Sequence, residues 1–265
     1  MTKNRIYHMA SFSRSGETLM QRCLNAHPDI EVVHQINEPD TPADLKIFRS
    51  FMQREKQTIA ADDPLVLHRK LGENAVLLLK NAVWIHPYPR QGFTLVRNPF
   101  SLVASSYREN PPPDQAKRQR AQQARWARGI DLRLLAMMQG GPTLPGFLAL
   151  YTRKMLQDRR DGLPFVRYED FVLDPEAWLR KIVAHLGLPW SDRVLTSHEG
   201  YPVNKKGHGG IKLWTPVNPG SVNKYKSLSD RTLSKIYGMT HEVLAQYGYS
   251  WDGAELGCQE AEGLL

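Results

Sequence analysis

The sequence predicts a three-layer α/β/α fold around a mostly parallel central sheet. Three observations carry that expectation. Short apolar runs alternate along the chain with longer stretches of helical period, as in strand–helix–strand units. The runs at 75–79 and 93–96 are apolar throughout or nearly so, as strands buried on both faces are. Each run is followed by polar or turn residues, which suits the short loops of right-handed crossovers.

Taken in order, residues 5–11 read as a strand and 13–16 as a tight turn. Residues 17–26 read as a helix stopped by His27-Pro28. Residues 30–33 form a second short strand, a loop punctuated by Pro39 and Pro42 follows, and 44–57 have helical period. After the two apolar strands, Pro99 opens a helix through about residue 108, and Pro111-Pro112-Pro113 imposes an extended segment. The stretch 114–138 is helical in pattern and very basic, with Lys117, Arg118, Arg120, Arg125, Arg128 and Arg133. It reads equally as a solvated face or as a surface that grips an anion. A helix at 148–160, a strand at 164–167 and a helix at 175–186 closed by Gly187 complete the pattern.

The 265 residues, 41% of them apolar, suffice for one large α/β domain, and neither a repeat nor a boundary divides residues 1–265. The formal charge of +8 favours anionic partners without choosing among nucleic acid, an acidic membrane or a phosphate-rich small molecule. Two cysteines, Cys23 and Cys258, make neither a disulfide framework nor a metal-ligand spacing. No signal-peptide core and no run of about 18 apolar residues is present, so a cytoplasmic protein without a transmembrane segment is expected.

Chemistry concentrates in the first loop. Ser11-Phe12-Ser13-Arg14-Ser15-Gly16-Glu17-Thr18-Leu19 sets small residues and a cation between a strand and a helix N-terminus, where free N–H groups and the helix dipole bind anions. It lacks the second glycine and the lysine of a Walker A loop. An ordinary capping turn would look similar, so the loop alone does not decide. Farther on, Phe93-Thr94-Leu95-Val96-Arg97-Asn98-Pro99 puts Arg97 at a strand end and Ser105 two turns into the next helix.

Together, Ser-Arg-Ser-Gly-x-Thr and Leu-Val-Arg-Asn-Pro followed by that serine resemble the two donor-binding motifs of the sulfotransferase family, whose donor is 3′-phosphoadenosine 5′-phosphosulfate (PAPS). The resemblance implies a P-loop-like fold and a metal-independent transfer that releases 3′-phosphoadenosine 5′-phosphate (PAP). It places Arg14, Ser15, Gly16, Glu17 and Thr18 around the 5′-phosphosulfate, and Arg97 and Ser105 at the 3′-phosphate. Phe165-Val166-Arg167-Tyr168-Glu169-Asp170-Phe171 is similar to the family's Tyr-Glu-Asp segment, which sets Tyr168 beside the adenine. Lys205-Lys206-Gly207-His208-Gly209-Gly210 resembles a basic loop that closes over the 3′-phosphate, and Lys224, in a segment like the family's Ser-x-Gly-Arg-Trp, adds a further cation.

Two positions depart from the family pattern. Glu17 stands where many relatives have threonine, beside a group it would repel, and Leu19 stands where an adenine-stacking tryptophan is common. Trp190 and Trp214 are substitutes for that stacking, with core packing the plainer reading of each.

For the chemistry, sulfuryl transfer needs cations at the leaving oxygen and a base for the acceptor proton. Arg14 and Lys80, the latter at the end of an apolar strand, are the cations. The histidine that cytosolic relatives place two residues after that lysine is absent, since Ala82 stands there. The Glu-Pro segment Glu38-Pro39 resembles that of Golgi and bacterial relatives and makes Glu38 the base, with His34, His68 and His86 in reserve. The acceptor expected is a small molecule, glycan, lipid or carrier-bound group, with no nucleic acid. A P-loop kinase would need a Walker lysine and a magnesium carboxylate. A nucleic-acid-binding protein would leave the paired motifs unexplained.

Overall fold

The computed structural model describes residues 3–32, 58–60, 75–81, 91–107, 112–131, 133–134, 143–207 and 210–265. Its sheet contains β1 (Lys3–Ser11), β2 (Ile30–Val32), β4 (Val76–Asn81), β5 (Gly92–Val96) and β6 (Phe165–Arg167), in the spatial order β2-β4-β1-β5-β6. These five strands run parallel. A sixth strand, β3 (Thr58–Ala60), pairs antiparallel with the first three residues of β1, an addition the sequence pattern did not predict. The strand order reverses beside β1. From β1 the chain runs out to β2 at the edge, comes back to β4 beside β1 and then crosses to β5 on the other side, which opens a crevice at the carboxyl ends of β1 and β5.

Alternation along the strands divides the core in two. Phe93, Leu95 and Val166 join Met9 in a cluster with Leu19, Met20, Cys23 and Leu24 of α1 (Glu17–Asn25) and with Leu179, Ile182 and Val183 of α6 (Pro175–His185). Val96 and Phe165 point the other way, into a cluster built by α2 (Pro99–Ser106), α3 (Pro113–Ile130), α4 (Leu144–Arg160) and α7 (Asp230–Gln246). The sheet is therefore covered on both faces, as the near-continuous apolar strands require.

Several helix ends follow local rules that the sequence carries. Pro99 sits at the first position of α2, and the Asn98 side chain accepts the Ser101 N–H at 2.7 Å. The Asp174 carboxylate caps α6 by accepting from Ala177 N at 3.1 Å. Gly187, at φ 67°, ends the same helix. Its N–H reaches the Ala184 carbonyl and the next N–H reaches that of Val183, the paired bonds of a Schellman turn.

Other boundaries differ from expectation. The basic helix expected to reach residue 138 stops at Ile130, because Asp131 turns extended at φ −160°. Its carboxylate takes the backbone N–H and the guanidinium of Arg133, which fixes a turn in place of another helical one. Helix α4 starts at Leu144 instead of 148, since the Thr143 hydroxyl caps Gly146 N and Pro145 is harmless in a first turn. The short α5 (Tyr168–Leu173), the 17-residue α7 and the hairpin of β7 (Tyr249–Trp251) with β8 (Leu256–Cys258) were not anticipated. The helix expected at 44–57 lies outside the described residues.

Phe12, the residue between β1 and its loop, is fully buried among Trp126, Phe147 and Tyr151, with ring centroids 5.2–5.6 Å away in edge-on geometry. Helices α3 and α4 thus hold the base of the first loop. Phe12→Ala should cost about 3–5 kcal/mol of unfolding free energy. Arg118→Ala, on the exposed face of α3, should change it by less than about 0.5 kcal/mol, both read from urea denaturation.

Candidate active site

Parallel pairing brings three strand ends together. Ser11 lies opposite Leu95, and Val96 opposite Arg167, so the loop after β1, Arg97 after β5 and Tyr168 after β6 emerge at one edge. At the end of β4, half-buried Lys80 pairs with Met9 of β1.

The first loop is wound tightly. Ser15 N donates to the Phe12 carbonyl at 3.1 Å, Arg14 adopts φ 76° and Gly16 adopts φ 99°. Arg14 and Asn204 are the two non-glycine residues with positive φ among the described residues, a costly conformation that is kept where a loop must point its amides one way. Gly16 caps α1 without side-chain help, and a Cβ there would lie 2.3 Å from Cδ2 of Tyr168. Ser15 is buried with its hydroxyl unpartnered. The Gly16 N–H is taken by the Glu17 carboxylate at 3.2 Å, and Glu17 is only 7% exposed.

Arg97 is the hub. Its guanidinium donates to the Arg14 carbonyl at 3.2 Å and to the Ser221 carbonyl at 2.7 Å, and lies 4.4 Å above the centre of the Tyr168 ring. Its Nε is buried without a partner, and the residue is 5% exposed. Tyr151 of α4 donates from its hydroxyl to the Arg97 carbonyl at 2.9 Å. The Tyr168 hydroxyl meets Ser221 Oγ at 2.6 Å, so Tyr168 is fixed by Gly16 at its edge, Arg97 on its face and Ser221 at its tip.

Lys224 joins this group. Burial, then the neighbouring charges of Arg97 and Arg14, hold its ammonium below the ordinary lysine range. The charges of Arg14 and Arg97 are thus felt at Lys224. The Ser105 hydroxyl donates instead to the Leu102 carbonyl of its own helix at 3.0 Å.

The Lys205-Lys206-Gly207 loop closes on α1. Leu213 N bonds the Lys205 carbonyl, Gly207 N bonds the Ile211 carbonyl, and a Cβ on Gly207 would touch Thr18 Cγ2 at 3.1 Å. Lys206 is exposed and Lys205 half-buried.

Two supports of this site were missed from sequence. Arg22, one turn beyond Thr18 and 1% exposed, donates to the Leu213 and Thr215 carbonyls at 2.9 and 2.7 Å, which staples the loop to α1. Glu169, 2% exposed, accepts from Asn98 N, from Asn98 Nδ2 and from the Tyr249 hydroxyl. A charged residue inside an apolar helical stretch was the available signal for Arg22. Glu169 carried none beyond its motif.

The remaining expectations divide plainly. Glu38, His34, His68 and His86 lie outside the described residues. Leu19 is core beneath α1, and Trp190 packs at the surface under Arg180 with its indole N–H on Asp192. Trp214 is half-buried. The Cys23 thiol is pushed up by burial, and Cys258 is not paired with it. Among the described residues no group of three or more His, Cys, Asp or Glu side chains gathers for a metal, and no helix is long and apolar enough to cross a membrane.

Two substitutions test this architecture. Gly16→Ala places a Cβ inside the Tyr168 ring at a disfavoured φ and should destabilise by about 2–4 kcal/mol while displacing Tyr168. Glu169→Gln should cost about 1.5–3 kcal/mol, since an amide presents one acceptor oxygen to partners that use two. Denaturant unfolding and near-ultraviolet circular dichroism read both.

Comparison with known proteins gives a consistent result. Residues 93–192 match the model of the sulfotransferase family, a span that holds Arg97, Ser105, Tyr168 and Glu169. The chain is 25% identical over 257 residues to protein-tyrosine sulfotransferase 1 of Danio rerio, covering 89% of this chain and 70% of that protein. It is 24% identical over 235 residues to the protein-tyrosine sulfotransferase of Drosophila melanogaster, covering 80% of this chain but only 45% of the fly protein, so the chain spans less than half of that relative's length. Among solved structures, the sulfotransferase domain of the curacin biosynthetic pathway superposes with a TM-score of 0.60 at 15% identity, covering 93% of this chain and 98% of that domain. The sulfotransferase domain of the Synechococcus PCC 7002 olefin synthase superposes with a TM-score of 0.56 at 16% identity, covering 95% and 97%. The two structures share the P-loop-like α/β fold with this chain, and the matched segment and the aligned relatives make the chain similar to sulfotransferases.

Proposed function

We propose that the protein transfers a sulfuryl group from PAPS to an acceptor hydroxyl or amine. One observation carries the reading: Arg97 is held against the Arg14 carbonyl of the loop that opens α1, and both its Nε and the Ser15 hydroxyl of that loop are buried without partners. Buried donors without acceptors cost about 1–3 kcal/mol each, and an anionic ligand offering phosphate oxygens would satisfy them. The residues present therefore fit a donor with two anionic ends.

When bound, PAPS supplies an activated sulfuryl group on a phosphate leaving group. Arg14, Ser15, Gly16 and Thr18 would hold the phosphosulfate end, with Glu17 at its border. Arg97 and Ser105, with Lys205, Lys206 and Gly207 closing above, would hold the 3′-phosphate. Tyr168, stacked on the Arg97 guanidinium, would lie beside the adenine. Lys80 and Arg14 would stabilise charge on the departing oxygen, so that no metal is called upon. Glu38 is the proposed base, on the resemblance of Glu38-Pro39 to the Glu-Pro segment of Golgi and bacterial relatives, a carboxylate being able to take the acceptor proton.

The aligned relatives are named for protein tyrosine, which makes a polypeptide phenol the first acceptor to test. Hydroxyls on small molecules, glycans, lipids and carrier-bound groups come next.

Calorimetric titration tests the donor. PAP should bind more tightly than ADP with magnesium, and Arg97→Ala should lose roughly 1.5–3 kcal/mol of PAP affinity. A preference for ADP, or indifference to Arg97, would overturn the assignment. For the base, Glu38→Gln should lower kcat by at least ~100-fold and leave PAP affinity unchanged. Unaltered turnover would move that role to another residue.

A further inference from the structure

The anion cradle holds a carboxylate of its own. Glu17, the first residue of α1, accepts the Gly16 N–H at 3.2 Å, so one amide at the start of the helix is already taken. The side chain is buried rather than turned out to solvent. It sits at the positive end of α1, which stabilises negative charge there. The same loop carries Arg14, whose carbonyl takes the Arg97 guanidinium at 3.2 Å, and Ser15, whose buried hydroxyl has no partner. A loop built only to attract negative charge has no use for a carboxylate at this position.

We infer that Glu17 is a charge-counting residue, which selects the sulfuryl-bearing donor against its phosphoryl isostere. The inference rests on the PAPS reading above. The terminal group of a phosphosulfate carries one negative charge, whereas the terminal phosphate of adenosine 3′-phosphate 5′-diphosphate carries nearly two at neutral pH, its second pKa being about 6. The two ligands have the same shape and differ by that charge. Size and hydrogen bonding therefore separate them poorly, and a fixed negative charge beside the terminal group separates them well. As either ligand enters, Gly16 N–H passes from Glu17 to a ligand oxygen, and the released carboxylate stays at the border of the cradle because its backbone is the first turn of α1. One additional unit charge a few ångströms from a carboxylate in a partly desolvated site corresponds to at least about a tenfold loss of affinity.

The measurement is a set of calorimetric dissociation constants for PAPS, PAP and adenosine 3′-phosphate 5′-diphosphate, on the full chain and on Glu17→Gln, Glu17→Thr and Glu17→Asp, with thermal melts to verify folding. The wild-type protein should bind PAPS about tenfold or more tightly than the isostere. Glu17→Gln and Glu17→Thr should shrink that ratio to within about threefold, mainly by strengthening the isostere, and should alter PAP and PAPS, which have equal charge, by a common factor. Glu17→Asp, which keeps the charge, should keep the preference. If PAP and PAPS bind and the ratio is the same with and without the carboxylate, Glu17 is a capping residue only and the inference is overturned, while the donor assignment stands. If neither PAP nor PAPS binds the wild-type protein, the donor assignment fails and takes this inference with it.

Discussion

The buried carboxylate of Glu169 is the tie on which the site's geometry depends. One oxygen receives both the backbone and side-chain N–H groups of Asn98, and the other receives the Tyr249 hydroxyl at 2.6 Å. Asn98 is at the same time the cap of α2, through its own oxygen on Ser101 N. The turn that aims Arg97 is thereby joined to the segment that carries Tyr168 and to the hairpin near the end of the chain. A carboxylate this deep would be expensive without partners, and three donors answer it. The Tyr249 phenol responds in kind, held well above the ordinary tyrosine range by burial and then by the charge of Glu169, so it stays a donor.

That tie explains why a loop with two positive-φ residues in a row of three can persist. Arg14 and Gly16 are held from both sides. Phe12 is locked in an aromatic cluster beneath the loop, while Tyr168 and Arg97 press on it from above. Strain of this kind survives only where its surroundings over-determine it. The same pressing orders Arg97, whose guanidinium is engaged by two carbonyls and one ring face and still has Nε to offer.

Legibility in the sequence followed the range of the interactions. The five parallel strands, the start of α2 at Pro99 and the Gly187 stop were readable, because burial on both faces and helix-end chemistry are written within a few residues. Arg14, Gly16 and Arg97 were readable as motif residues for the same reason. Lys224 entered only as an added cation, since its place beside Arg97 and Arg14 depends on a segment more than 120 residues away folding over the strand ends. Arg22 and Glu169 act through carbonyls and an amide distant in sequence, and no spacing rule reports such partners. The end of α3 escaped because the competing Asp131–Arg133 bonds outweigh a helical pattern that continues on paper.

The charges of the site follow from the same economy of partners. Arg14, Arg97 and Lys224 repel one another, and the depressed lysine records that repulsion together with burial. An electropositive cluster of this kind costs the ligand-free fold stability, and an anion that enters removes the penalty as it binds. Affinity gained by relieving repulsion is blind to the identity of the anion, so the cations alone would accept any nucleotide with enough charge. Selectivity has to come from groups that penalise the wrong ligand. Glu17, held at the amide end of α1 by the Gly16 N–H, is the negative charge that the loop itself contributes, and in the proposed reading it is the group that penalises a ligand with too much charge.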